Sequence, residues 1–71
     1  MLRLSAHARQ RMIERGITEE QITRVLADHD VSFTDRKGNP CYVRTLDGRR
    51  IKVVLAAQDP KFVITVIDLD A

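Results

Sequence analysis

At Val31 the spacing of the apolar residues changes period, and that change constrains the fold more than any other feature of the chain. Before it, apolar residues recur at helical spacing; after it, they alternate with polar ones. Ser5 is a natural N-cap, with Leu4 before it and a helix-compatible run after it. Ala8, Met12 and Ile13 supply the apolar stripe of this first helix, and His7, Arg11 and Arg15 follow one another at four-residue spacing on the neighbouring stripe. Gly16 ends the helix as a glycine able to take the left-handed conformation. Thr18-Glu19-Glu20-Gln21 reads as a capping box, and Ile17 with Ile22 occupies the two positions of a hydrophobic staple. Ile22, Val25 and Leu26 form the buried stripe of the second helix, which fades at Asp28-His29-Asp30.

Beyond the switch, Val31 and Phe33 alternate with Ser32 and Thr34, and Lys37-Gly38-Asn39-Pro40 makes a turn. Cys41 to Leu46 reads as a second strand and Arg49 to Ala57 as a third. Between them, Asp47-Gly48 has the residues of a type I′ hairpin turn. Gln58-Asp59-Pro60-Lys61 reads as another turn, and Phe62 to Asp68 as the last strand. The expectation is a single α+β domain over residues 1–71: two N-terminal helices packed on a four-stranded antiparallel meander, in the order ααββββ. A two-residue loop at Asp47-Gly48 fixes a register in which Leu46 faces Arg49, Arg44 faces Ile51 and Tyr42 faces Val53. Those residues and Leu55 then share the face that the helices cover, while Val43, Thr45, Arg50, Lys52 and Val54 share the other. A bulge at the turn would reverse the assignment.

A chain of 71 residues hides only about 60% of the surface that its unfolded form exposes, so a partner subunit is expected, either a homodimer mate or a second protein covering one face. Its single cysteine, Cys41, excludes an internal disulfide and fits a reducing compartment. One cysteine and two histidines make a poor metal set, so neither metal nor other cofactor is expected. The longest apolar runs, Val53 to Ala57 and Phe62 to Ile64, are too short to span a bilayer, and Arg3, Arg9 and Arg11 interrupt the N-terminus. Cytoplasm is the expected location. The net charge of +2 is compatible with nucleic acid without pointing to it. Arginine outnumbers lysine nine to three, which suits planar contact with phosphate or carboxylate.

The most unusual segment runs from Ser5 to Ile17, where a histidine in the first helical turn sits among arginines. A neutral histidine in such company is suited to act as a general base near a bound phosphate. The alternative is a histidine packed at the helix–sheet seam, with the arginines reaching solvent or pairing with Glu14 and Glu19. The pattern His7-Ala8-x-x-Arg11-Met12-x-x-Arg15-Gly16-Ile17, with a second helix, a basic hairpin and a last strand reading Val63-Ile64-Thr65-Val66, resembles domain-of-unknown-function family 4258 over nearly the whole chain. That family looks related to the RelE-like ribonuclease toxins of the barnase-EndoU-colicin-RelE group.

The resemblance implies a bacterial, cytoplasmic, metal-independent RNA endonuclease of toxin–antitoxin type, leaving 2′,3′-cyclic phosphate ends. His7, Arg11, Arg15 and Thr65 match the family's recurrent polar positions. On that reading His7 acts as base or acid, Arg11 and Arg15 hold the phosphate, Thr65 gives a hydroxyl hydrogen bond, and Arg44 or Lys52 stabilises charge. Tyr42 is either a further proton donor or a strand residue packed in the core or across strands, and Arg50 with Lys52 either bind backbone phosphates or keep the exposed face soluble. RNA and an antitoxin-like protein are the implied partners. Against this stands a non-catalytic RNA- or protein-binding module on the same fold, or an inert toxin relative. Few aromatic residues argue against a general RNA binder that works by stacking.

Overall fold

The computed structural model describes residues 2–70. A short strand β1 (Arg3–Leu4) leads into α1 (Ala6–Arg15) and α2 (Glu19–Ala27). Four strands follow: β2 (Val31–Thr34), β3 (Pro40–Leu46), β4 (Arg49–Ala56) and β5 (Asp59–Asp68). They form one sheet in the order β1-β5-β4-β3-β2, with β1 parallel to β5 and every other pair antiparallel. The α+β class holds, but the sheet is five-stranded and mixed, not the four-stranded antiparallel meander expected from the sequence. The extra strand is two residues long, too short to show alternation. It forms because β5 has an open edge, on which Arg3 pairs with Phe62 and Leu4 with Val63. The next residue continues the tie: the Ser5 N–H donates to Val63 O (3.0 Å), and the Ser5 hydroxyl donates to Ile64 O (2.6 Å). The same hydroxyl accepts from the Ala8 N–H (2.9 Å), so one serine caps α1 and fastens it to the sheet.

Both helices are punctuated as expected. Gly16 has φ 64°, and the Gly16 and Ile17 N–H groups both turn back to Met12 O. Thr18 and Gln21 complete a reciprocal capping box, and Ile17 and Ile22 are both buried. In α1 the apolar stripe is narrower than expected: Ala8 is buried, Met12 is half-buried, and Ile13 is 83% exposed.

Asp47 (φ 54°) and Gly48 (φ 83°) both take positive φ, the signature of a type I′ turn, and the β3–β4 register is the expected one. Leu46, Ile51, Val53 and Leu55 therefore lie under the helices, where α1 packs on β5 and α2 on β3 and β4. At the other end of β4 the expected Gln58–Lys61 turn is instead a two-residue loop at Ala57-Gln58, with Asp59 already paired to Ala56. The register then jumps, so that Leu55 pairs with Val63 and Val54 with Thr65. Residues 60–62 bulge away from β4, and there Pro60 needs no N–H. No helix among the described residues is long and apolar enough to cross a membrane.

Candidate nucleic-acid interface

The eight side chains singled out by the sequence are divided by the fold over three surfaces. The first is the outer flank of α1. His7 is exposed and has no hydrogen-bond or ion-pair partner among the described residues. One turn on, Arg11 is half-buried; its Nη1 faces Glu14 at 3.7 Å, while its Nε is buried without a partner. Arg15 is the last residue of α1, its side chain exposed.

The second surface is the sheet face turned away from the helices. Thr65 pairs with Val54, which alternates with the helix-facing Val53, so Thr65 lies on this open face. With Lys52, Ile64, Ile67 and the Arg36, Lys37 and Asn39 turn it lines a shallow depression of about 400 Å³. The Thr65 hydroxyl reaches only Val66 O, at 3.5 Å. Lys52 places its ammonium 5.3 Å from the centroid of the Phe33 ring and has no carboxylate partner among the described residues. Arg50, on the same face, is committed to the C-terminal end of the chain. Its Nε and Nη2 donate to Asp70 Oδ1 (3.3 and 3.1 Å), and its N–H donates to Asp70 Oδ2 (2.8 Å). The backbone and guanidinium bonds from Arg50 hold the Asp70 carboxyl below its ordinary value.

The third surface is the seam between β3 and α2. Arg44 donates to Arg24 O (3.3 Å), which also accepts the Asp28 N–H (3.1 Å), and faces Asp28 (3.8 Å), so it adds a second donor at the C-terminal end of α2. Tyr42 is half-buried against the core, its ring 4.7 Å from that of His29 and tilted by 56°.

Two residues were missed. Arg49 donates to Arg15 O (2.5 Å) and Gly16 O (2.6 Å), reaches Gln21 (3.3 Å) and faces Asp68 at 3.6 Å. It does for α1 what Arg44 does for α2. The register already placed Arg49 on the covered face, where a guanidinium must find oxygen atoms, and that was the available signal. Phe33 was read as an alternating strand residue; it pairs with Cys41 on the open face and is 45% exposed. Beside it, Asp35 turns its carboxylate onto its own loop, accepting from the Lys37 and Asn39 N–H groups (2.9 Å each). Chiefly through the Asn39 amide, this lowers the Asp35 carboxyl from its ordinary value. Cys41 is buried, which pushes its thiol up.

One link joins the first two surfaces. Because the Ser5 hydroxyl is bonded to Ile64 O, the first turn of α1, which carries His7, begins beside the strand residue preceding Thr65. The side chains still belong to different layers, His7 to the helical one and Thr65 to the open sheet face.

A family described as a domain of unknown function, DUF4258, matches residues 4–68. The chain belongs to this family. The match begins in β1 and ends with β5, so in this DUF4258 domain it takes in both helices and all eight candidate residues. No curated protein and no solved structure matches the chain.

Proposed function

We propose that this DUF4258 domain is a metal-independent RNA endonuclease of the toxin–antitoxin type, with His7 as its acid–base group. The observation that supports the reading is the position of His7. It is exposed in the first turn of an arginine-bearing helix and free of hydrogen bonds to other described residues, unlike a histidine packed at the helix–sheet seam. In the reaction, neutral His7 takes the proton of the RNA 2′-OH while the 2′-oxygen attacks phosphorus. The bond from phosphorus to the 5′-oxygen breaks, and that oxygen is protonated by water. Arg11 and Arg15 offer guanidinium groups to the phosphorane oxygens. Lys52 and Thr65 hold the strand on the open sheet face, whereas Arg44, Arg50 and Tyr42 are occupied in structure.

The deciding assay incubates RNA with the wild type and with His7→Ala in the presence of EDTA, with and without ribosomes, and reads product ends by mass spectrometry. The expected result is 2′,3′-cyclic phosphate ends from the wild type and their loss in His7→Ala, which keeps its circular dichroism. Equal cleavage by both proteins removes His7 from the chemistry. No cleavage under either condition leaves the second reading, a non-catalytic RNA-binding module. The Lys52–Phe33 pair favours that reading, since a half-exposed ring under an ammonium can stack on a base beside a phosphate. In that case Lys52→Ala and Phe33→Ala each weaken RNA binding, and His7→Ala does not.

A further inference from the structure

On the helical side, well away from the open sheet face, lies a second concavity of about 430 Å³. Leu4, Met12 and Ile17 form its apolar wall, Ile13 stands at its rim, and Arg9 and Glu19 flank it. Ile13 is the most exposed large apolar side chain among the described residues. It has no role in the core, which Ala8 and Met12 already meet from the same helix.

We infer that this groove is the contact surface for a second copy of the chain, which packs α1 against α1 about a two-fold axis near Ile13. Two features select a like copy over a different protein. The patch holds both an apolar knob, Ile13, and an apolar hollow beside it, and a two-fold interface requires that both be carried by one surface. Its charges are also of opposite sign. Arg9 precedes Ile13 on α1, Glu19 opens α2 just past the Gly16 turn, and neither has an ion-pair partner among the described residues. An antiparallel α1–α1 crossing brings Arg9 of one copy against the partner's Glu19, and the symmetry repeats the contact. A patch built for an unlike partner has no need of this self-complementarity. His7 and Arg11 project from the other flank of α1, and both sheet faces point outward, so the dimer leaves the RNA-facing surfaces open.

The test is sedimentation equilibrium over a wide concentration range on five proteins: wild type, Ile13→Asp, Arg9→Glu, Glu19→Arg, and the double variant Arg9→Glu/Glu19→Arg. Circular dichroism and thermal melting confirm that each is folded, which is expected because all three positions are exposed. The wild type should approach twice the 8.1 kDa mass of one chain, and Ile13→Asp should stay at one. Each single charge reversal sets like charges together at two places and should weaken association by about tenfold, about 1.4 kcal/mol over the two contacts together. The double reversal should restore wild-type association. A wild type that is monomeric at every concentration overturns the inference. So does a dimer that survives Ile13→Asp, or a double variant no tighter than the singles. The outcome is independent of the RNA reading, because none of these substitutions touches a residue assigned to RNA.

Discussion

The two helices are nearly equal in length and lie on the same sheet face, yet they are held there by different forces. In α2, Ile22 and Val25 are completely buried, Ile17 is stapled against the same core, and a capping box closes the N-terminus. In α1 only Ala8 is completely buried. Polar ties hold its ends instead: Ser5 to β5 at one, and the Arg49 guanidinium on the Arg15 and Gly16 carbonyls at the other. Apolar burial holds α2 without regard to the detail of its outer surface, whereas α1 is gripped at its ends, touches the core through Ala8 and Met12, and leaves His7, Arg9 and Ile13 exposed. The helix that carries the candidate chemistry contributes little to the core, so changes along it can be separated from unfolding.

The sharpest way to break this contrast is to truncate one isoleucine in each helix. Ile22→Ala removes completely buried methyl groups and should destabilise by about 2–5 kcal/mol, whereas Ile13→Ala should stay within about 0.5 kcal/mol. Urea unfolding of both variants, at a concentration low enough that the chain is monomeric, measures the difference, and comparable losses would show that α1 is held by burial after all. Next in size are the two strand arginines. Arg49→Met removes two short charge-assisted bonds from the end of α1 and leaves the largely buried Asp68 without its cation, a loss of about 2 kcal/mol. Arg44→Met removes a longer bond beside a well-exposed Asp28 and should cost about 1 kcal/mol. An equal effect at the two positions would mean that α2 leans on its arginine as much as α1 does.

Of similar size is the effect expected at the turn between the helices. A Cβ at Gly16 meets nothing within 4 Å, so the penalty of Gly16→Val is that of the backbone alone, about 1–2 kcal/mol for a side chain forced into the left-handed conformation. Gly16→Asn should recover most of it, because asparagine visits that conformation readily. A thermal melt of the pair separates this origin from a steric one, in which asparagine, whose side chain reaches further than valine's, would fare no better than valine.

What the sequence revealed and what it concealed follow the same division. The helix caps, the capping box and the type I′ turn were legible because each depends on a few neighbouring residues whose preferences are strong: Ser5, Gly16, Thr18 with Gln21, Asp47 with Gly48. The register followed from the turn, and with it the separation of Arg44 and Arg49 from Arg50 and Lys52. The strand β1 was not legible, since two residues carry no period and Arg3–Leu4 is specified by the open edge of β5, some sixty positions away. The bulged start of β5 was hidden for the converse reason: Asp59-Pro60 has the composition of a turn, and it is a strand because Asp59 pairs with Ala56 and Phe62 and Val63 pair with β1. Of the candidate site, the four-residue spacing of His7, Arg11 and Arg15 along α1 was readable, whereas the choice between a solvent-facing His7 and one packed at the seam was not. That Arg44 and Arg50 are already occupied by Arg24 O, Asp28 and Asp70 depends on contacts between distant segments that no local pattern encodes.

The smallest effect tests the open side of the sheet against the helical side. The Asp35 and Asp70 carboxyls both lie below their ordinary value, so each binds its proton more weakly in the folded chain than in the unfolded one. Their contribution is therefore complete above the ordinary carboxylate range and is lost as the pH falls through their lowered folded values. Both groups brace loops at the ends of strands, Asp35 the β2–β3 turn and Asp70 the segment after β5, and neither touches α1. Asp70→Asn should be less stable than the wild type near neutral pH, and the two should converge in strong acid. Ser5→Ala, which loosens α1 through a neutral hydroxyl, should lower stability by the same amount at every pH. Urea midpoints measured down the acid limb decide the matter. If the Ser5→Ala deficit also vanished in acid, the hold on α1 would have to run through a titrating group and not through its serine clasp.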